Sequence, residues 1–188
     1  EMNNYIQIYN NAIDDDYCDE LREKFDRNPK QQEHIEQGPM SFSQLNLNLN
    51  SYDKSYWQND VAKLSKVFSQ YLVRYRQDCD IRPEMWPDRT DILEQIRIKK
   101  YLNNDKDEFG PHVDAVTYES ALRFLVFFIY LDDNEKGETA FPQLGVASPC
   151  KKGNLLMFPP LWPWLHAGLK PINKPKYIVG SYLHYENN

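Results

Sequence analysis

Three side chains suited to metal binding stand in the C-terminal half of the chain: His112, Asp114 and His166. His112 and Asp114 are two residues apart, and residues i and i+2 of a β-strand point to the same face, so we expect them to project together. His166, from a later strand, would complete a set of two histidines and one carboxylate. This facial triad suits non-haem Fe(II) and leaves coordination positions open for oxygen and a co-substrate. The spacing therefore predicts an iron centre that activates oxygen.

Each part of this pattern also has a simpler interpretation. A single His-x-Asp arises readily by chance, and His112 would then be a surface histidine paired with an acid. His166 would be an interior histidine hydrogen-bonded near Trp162 and Trp164. Lys176, at the start of the last predicted strand, favours the metal interpretation because its compact charge suits the distal carboxylate of 2-oxoglutarate, which chelates iron through its keto acid end. A solvated lysine is the alternative.

The elements that would position these residues change in character near residue 91. The N-terminal part contains a strand at 5–9, a helix from about 15 to 27, a polar irregular stretch at 31–56 and a helix at 58–77. Within the polar stretch, the alternation of leucine and asparagine at 45–49 indicates a strand or an ordered loop on the core. Short strands follow at 92–101, 112–116, 122–131, 139–141, 153–158, 164–169 and 177–184. The pattern predicts a mainly β fold, a double-stranded β-helix (cupin-like jelly roll) at 91–188, with the helices of 1–90 packed on one sheet. Without repeats or linkers, residues 1–188 are expected to form a single domain.

Composition disfavours several functional classes. The chain has 188 residues, 41% of them hydrophobic and 14% aromatic, which is typical of a globular protein. A net charge of −6 disfavours nucleic acid and anionic membranes as partners. We expect no signal peptide at the start, and no apolar run approaches the ~20 residues of a membrane span. The cysteines Cys18, Cys79 and Cys150 follow no metal-ligand pattern, which favours free thiols and a cytoplasmic location; the oligomeric state is left open.

The C-terminal hundred or so residues resemble the prolyl 4-hydroxylase branch of the Fe(II)/2-oxoglutarate dioxygenases. Several motifs of that branch occur here in the same order. They are Ile98-Lys99-Lys100-Tyr101, Phe109-Gly110-Pro111-His112-Val113-Asp114, the strand 123–131, the Gly137-Glu138-Thr139 turn, Gly153-Asn154-Leu155-Leu156-Met157-Phe158 and His166-Ala167-Gly168 followed by Lys176. Two features depart from the family pattern. Phe109 stands where the family usually has Tyr, and residues 103–108 form a longer turn than usual.

The resemblance implies roles for ten residues. His112, Asp114 and His166 would bind iron and carry the catalysis. Four residues would hold or approach 2-oxoglutarate: Lys176, Tyr101, Thr139 and Tyr182. Arg123 and His184 would contact the peptide near the target proline. Tyr118, in the loop after the first part of the triad, would flank the peptide groove.

The implied reaction is hydroxylation of a prolyl residue in a peptide or protein, with release of succinate and CO₂. Its co-substrates would be 2-oxoglutarate and O₂, with ascorbate as reductant. One alternative is another 2-oxoglutarate oxygenase, acting on a different side chain, a free amino acid or nucleic acid. Another is a non-catalytic jelly-roll module that binds metal, although a structural site would need a fourth protein ligand and none is evident.

Overall fold

Two α-helices and eleven strands, with short 3-10 turns between them, lie in the part of the chain that the computed structural model describes, residues 2–49 and 54–186. The helices are α1 (Asp15–Asp26) and α2 (Lys54–Asp78). The strands are β1 (Gln7–Tyr9), β2 (Gln32–Gln37), β3 (Met40–Asn46), β4 (Arg97–Tyr101), β5 (Glu108–His112), β6 (Arg123–Tyr130), β7 (Asn134–Phe141), β8 (Val146–Cys150), β9 (Leu155–Phe158), β10 (His166–Gly168) and β11 (Lys176–His184).

The strands form two facing walls of a jelly roll. Hydrogen bonds connect them in the order β1-β9-β6-β11-β4-β3-β5-β10-β7-β8, with β2 paired to β3. The wall β9-β6-β11-β4 faces the wall β5-β10-β7-β8, and β3 pairs with both β4 and β5, which joins the walls along one edge. Strands β4 to β11 have the arrangement of a double-stranded β-helix, which confirms the predicted fold class.

Both helices pack on the outer face of the β9-β6-β11-β4 wall, as predicted. Helix α1 begins after Asp14, whose carboxylate accepts a hydrogen bond from the backbone N–H of Tyr17 at 2.8 Å and so caps the helix. One face of α2 is apolar at helical spacing, and Leu64, Phe68 and Leu72 on that face are buried. The Phe68 ring centroid lies 4.7 Å from that of Phe127 on β6. A core of aromatic and aliphatic side chains therefore anchors the helices to the sheet.

The structure corrects three sequence-based expectations about the strands. Residues 32–44, predicted to be irregular, form with Leu45 and Asn46 the β2–β3 hairpin. Its alternation was obscured because Gln37 and Gln44 line a cavity instead of packing in a core. Strand β8 was not predicted. Strand β5 ends at His112, where the expected strand began.

Neither helix in the described ranges combines the length and apolar character needed to cross a membrane.

We expect Phe127→Ala to lower the free energy of unfolding by about 3–5 kcal/mol, because it removes a ring that holds α2 against β6 and leaves a cavity. Phe127 is completely buried. The measurement is urea unfolding followed by circular dichroism. Val73→Ala on the exposed side of α2 is the control, with an expected change below ~0.5 kcal/mol. Equal effects of the two substitutions would contradict this account of the helix–sheet contact.

Candidate metal centre and adjoining cavities

The two candidate histidines face each other across neighbouring strands. His112 is the last residue of β5 and His166 is the first residue of β10, and the antiparallel register pairs them directly. Their imidazole centroids are 4.2 Å apart. One possible ligand atom from each of His112, Asp114 and His166 lies within 4.8 Å of the other two. The cluster is compact enough for the three groups to bind a single ion.

Backbone carbonyls orient both imidazoles. Nδ1 of His112 lies 2.7 Å from the carbonyl oxygen of Gly110, and Nδ1 of His166 lies 3.0 Å from that of Trp164. We assign the proton of each ring to Nδ1, which leaves the lone pair on Nε2, the nitrogen that faces Asp114. Burial and the nearby His166 imidazole lower the pKa of His112. His112 is therefore held in the neutral form that metal ligation requires.

Asp114 lies in a bend beyond the end of β5, so the expectation that it shares a strand with His112 is wrong. The backbone N–H groups of Asp114 and Ala115 donate to the carbonyl of Pro160, at 3.1 and 3.2 Å, instead of continuing the ladder of β5. The bend still places the carboxylate beside both imidazoles. Its oxygens lie 3.6 Å from Nε2 of His112 and 3.2 Å from Nε2 of His166.

The Asp114 carboxylate is buried, and only one of its two oxygens accepts a hydrogen bond from the described residues. Oδ1 accepts a hydrogen bond from the Tyr182 hydroxyl at 2.8 Å, whereas Oδ2 accepts none from the described residues. Burial opposes ionisation, but imidazoles protonated on Nε2 outweigh it through their hydrogen bonds and charge and hold the pKa of Asp114 well below its usual range; a bound cation would take the place of those protons. An ionised carboxylate with a free oxygen, beside two Nε2 lone pairs, fits a divalent cation.

The cluster offers three ligands to that ion. In the described ranges, no further His, Cys, Asp or Glu joins His112, Asp114 and His166 in the cluster. A structural zinc site is normally closed by four protein ligands, whereas two histidines and a carboxylate with open positions are typical of non-haem Fe(II). The donor set therefore fits a catalytic iron better than a structural zinc.

An inner cavity extends from the triad to Lys176, the first residue of β11. Lys176 is 3% exposed, and its Nζ donates to the carbonyl of Leu169 at 2.8 Å. The Nζ also lies 4.5 Å from the ring centroid of Tyr101, and no carboxylate in the described ranges forms an ion pair with it. Burial lowers the pKa of Lys176 to about 8, so the side chain is mostly charged at pH 7. The closed end of this cavity thus presents an unpaired cation.

Hydroxyl groups line the same cavity. Tyr101 and Thr139 are both buried there, and the Thr139 hydroxyl lies 2.7 Å from that of Tyr130. Tyr130 was missed by sequence reasoning, although it is the one hydroxyl-bearing residue of β6. Tyr182 also lines the cavity, but its hydroxyl donates a hydrogen bond to the Asp114 carboxylate. The structure therefore places Tyr182 beside the candidate metal ligands.

Gly137 makes room for Lys176. The Gly137-Glu138-Thr139 motif lies within β7 and not in a turn. A Cβ atom at Gly137 would lie 2.8 Å from Cδ of Lys176. Only glycine at this position allows the lysine side chain its present path into the cavity.

An outer cavity of about 370 Å³ opens next to Asp114. Arg123 lines it and donates to the backbone carbonyl of Asp114 at 2.9 Å. Glu94, which sequence reasoning missed, lies 3.1 Å from Arg123 and 3.3 Å from Nε2 of His184. Burial opposes its ionisation, but the contact with His184 and the charges of Arg123 and Arg97 lower the pKa of Glu94 to about 2.

The three candidate peptide contacts occupy different environments. Arg123 borders the outer cavity, whereas His184 stands behind Glu94 and outside the lining. Tyr118 is 90% exposed in the loop after the triad and lines neither cavity. The structure therefore brings Arg123 to the candidate site and leaves Tyr118 on the surface.

Neither a protein-family model nor a curated protein matches the sequence, so comparison depends on solved structures. One is a viral collagen prolyl hydroxylase from Paramecium Bursaria Chlorella virus-1 in complex with 2-oxoglutarate, with a TM-score of 0.68, 18% identity and 97% of both chains covered. Another is a prolyl hydroxylase from Trichoplax adhaerens bound to a hypoxia inducible factor peptide, with a TM-score of 0.68, 12% identity, and 96% of this chain and 84% of that chain covered.

A further structural neighbour catalyses a different reaction. It is a non-haem α-ketoglutarate-dependent epimerase from nogalamycin biosynthesis, with a TM-score of 0.62, 14% identity, and 94% of this chain and 76% of that chain covered. At these identities the likeness shows the fold. The chain has the fold of the Fe(II)/2-oxoglutarate oxygenases of the prolyl hydroxylase type, as the resemblance implied.

We expect Tyr182→Phe to weaken divalent metal binding about 10-fold, because it removes the hydrogen bond that orients Asp114. The measurement is anaerobic calorimetric titration with Fe(II), or with Mn(II) in air. The control is Tyr185→Phe, which removes a hydroxyl from a partly exposed residue nearby. Unchanged metal affinity in Tyr182→Phe would show that Asp114 needs no such support.

Proposed function

We propose that this chain is an Fe(II)- and 2-oxoglutarate-dependent dioxygenase that hydroxylates a prolyl residue in a peptide or protein. One observation carries the proposal: a three-ligand site with open positions and an unpaired buried lysine lie on the same cavity. A 2-oxoglutarate molecule has a chelating end and a carboxylate end that match these two features. The fold shared with the viral collagen prolyl hydroxylase in its 2-oxoglutarate complex supports the proposal.

In this proposal, His112, Asp114 and His166 hold the iron. When bound, Fe(II) together with 2-oxoglutarate and O₂ supplies oxidative decarboxylation to succinate and CO₂, coupled to hydroxylation of a C–H bond. The protein's own groups bind and orient the reactants. Lys176 binds the distal carboxylate, with the hydroxyls of Tyr101 and Thr139 in the same cavity.

The walls of the inner cavity keep water away from the co-substrate. Val126, Phe128 and Ile178 contribute apolar side chains to the lining between the triad and Lys176. In such an environment the ammonium–carboxylate interaction is stronger than it is in water. The same apolar lining limits side reactions of the bound co-substrate with solvent.

The outer cavity is where a prolyl residue would bind. It adjoins Asp114, and Met40, Phe42 and Phe109 give it an apolar side suited to a pyrrolidine ring. Extended proline-containing segments adopt the polyproline II conformation, which aromatic-lined grooves bind at low entropic cost. The structural neighbour from Trichoplax adhaerens is a prolyl hydroxylase in complex with a peptide fragment, which supports a peptide as the substrate.

Succinate formation in the presence of Fe(II), ascorbate and a panel of proline-containing peptides tests the proposed function. We expect peptide-dependent turnover, with a product heavier by one oxygen on proline. His112→Ala should abolish turnover, and His34→Ala on exposed β2 should retain it. Succinate formation without hydroxylation of any proline peptide would retain the oxygenase class and reject the prolyl substrate. Absence of succinate formation from the metal-loaded protein would reject the class.

We expect Lys176→Met to weaken 2-oxoglutarate binding at least about 30-fold, or ~2 kcal/mol, because the distal carboxylate would lose its buried cation. The measurement is calorimetric titration of the Mn(II)-loaded protein. Lys174→Met is the matched control, since Lys174 pairs with Asp132 at 3.0 Å on the surface. If the two variants bound 2-oxoglutarate with equal affinity, a group other than Lys176 would bind its distal carboxylate.

Binding of 2-oxoglutarate should weaken as pH rises above 8. The pKa of Lys176 is lowered to about 8 by burial, so the ammonium is present below that pH and is lost above it. Above pH 8 the binding of the dianion must take up a proton, and the Kd should rise by up to about tenfold per pH unit. The check is calorimetry between pH 6.5 and 9.5, and Lys176→Met should flatten the dependence. A Kd that stays constant across this range in the wild-type protein would contradict the assignment.

A further inference from the structure

A second lysine stands where the two cavities meet. Lys99 lies on β4, and its side chain lines both the inner and the outer cavity. Its Nζ lies 4.8 Å from the ring centroid of Phe42 and 5.6 Å from that of Phe109. In the described ranges, no hydrogen-bond acceptor or carboxylate pairs with it. The neighbouring Lys100 points to the opposite face of the strand and pairs with Asp26 at 2.7 Å.

The acids near Lys99 are already engaged. Glu94 contacts Arg97 at 3.1 Å and Arg123 at 3.1 Å, and it also faces His184. Asp114 would bind the metal ion, and the charge of that ion would offset the charge of the carboxylate. With the metal bound, the junction of the cavities therefore carries a positive charge that no described side chain balances.

Electrostatics also favour an anionic ligand at this position. Burial lowers the pKa of Lys99 to about 8, with Arg97 and Arg123 acting in the same direction against Asp114 and Glu94. The side chain is still mostly protonated at pH 7. A partly buried ammonium without a hydrogen-bonded partner is costly, and a carboxylate bound beside it would remove that cost.

We propose that Lys99 binds a carboxylate of the substrate, so that the protein prefers a proline with an anionic group close by. This inference rests on the proposed function and specifies its substrate class. The carboxylate has two possible sources, the side chain of an acidic residue next to the proline in a peptide, or the α-carboxylate of a C-terminal or free proline. Phe42 and Phe109 flank the ammonium by cation–π contact, which leaves the cavity as the direction of approach.

Matched ligand pairs test the proposal and separate the two sources. One pair of blocked peptides differs only in Pro-Glu against Pro-Gln, and the other pair is N-acetylproline against its amide. Affinities are measured by calorimetry on the Mn(II)-loaded protein with 2-oxoglutarate present, so that binding is read without turnover. We expect the charged member of at least one pair to bind at least about tenfold more tightly, the effect of one charge-assisted hydrogen bond.

Variants assign this preference to Lys99. Lys99→Met should abolish the preference and leave the 2-oxoglutarate Kd within about twofold, whereas Lys100→Met should retain both. The proposal is overturned if neither pair discriminates in the wild-type protein, if none of the ligands binds, or if the preference survives Lys99→Met. It is also overturned if Lys99→Met weakens 2-oxoglutarate as Lys176→Met does, because Lys99 would then serve the co-substrate. If a charged ligand is preferred but no proline is hydroxylated, the Lys99 site stands and the prolyl substrate fails.

Discussion

The pairing of β5 with β10 is the constraint on which the candidate site depends. Its register sets His112 directly opposite His166, and backbone carbonyls two residues before each histidine fix the rings. If the register of β5 against β10 shifted by one residue, one imidazole would point to the other face of the sheet and the three ligands would no longer lie together. The metal geometry is therefore specified mainly by backbone hydrogen bonds, and the side chains need little further adjustment.

The jelly roll places two adjoining cavities of different character beside this pair of histidines. Lys176 and Tyr101 are paired in register on the opposite wall, which places a cation and a hydroxyl at the closed end of the inner cavity. Strand β3 joins the two walls, and its Phe42 lines the outer cavity. A small dianion and a larger substrate can thus approach the same three ligands from different sides.

The parts of the site that could be predicted from the sequence are those encoded by local motifs. The triad residues and Lys176 stand in short recognisable segments, and the fold class followed from the regular spacing of short strands. Asp114 was assigned to the right place for an incorrect reason, because its position depends on hydrogen bonds to Pro160, far along the chain. The sequence predicts Arg123 near the candidate site, but it does not predict the ion pair between Arg123 and Glu94.

The sequence does not predict those site residues whose role depends on which cavity their side chains face. Glu94 belongs to no motif. Lys99 and Tyr130 stand in the motifs at 98–101 and 123–131, but a motif does not show which cavity a side chain faces, because that depends on strand register between segments far apart in sequence. The β2–β3 hairpin was missed because its polar side chains face a cavity, which removes the apolar alternation that marks a strand. Tyr118 is near His112 and Asp114 in sequence, but the loop that follows Asp114 places its side chain on the surface.

The most direct test of the central claim is a crystal structure of the protein soaked with Mn(II), read by anomalous scattering. We expect one strong peak within coordination distance of Nε2 of His112, Nε2 of His166 and a carboxylate oxygen of Asp114, with no fourth protein ligand. A peak elsewhere, or a fourth side chain that closes the coordination sphere, would contradict it.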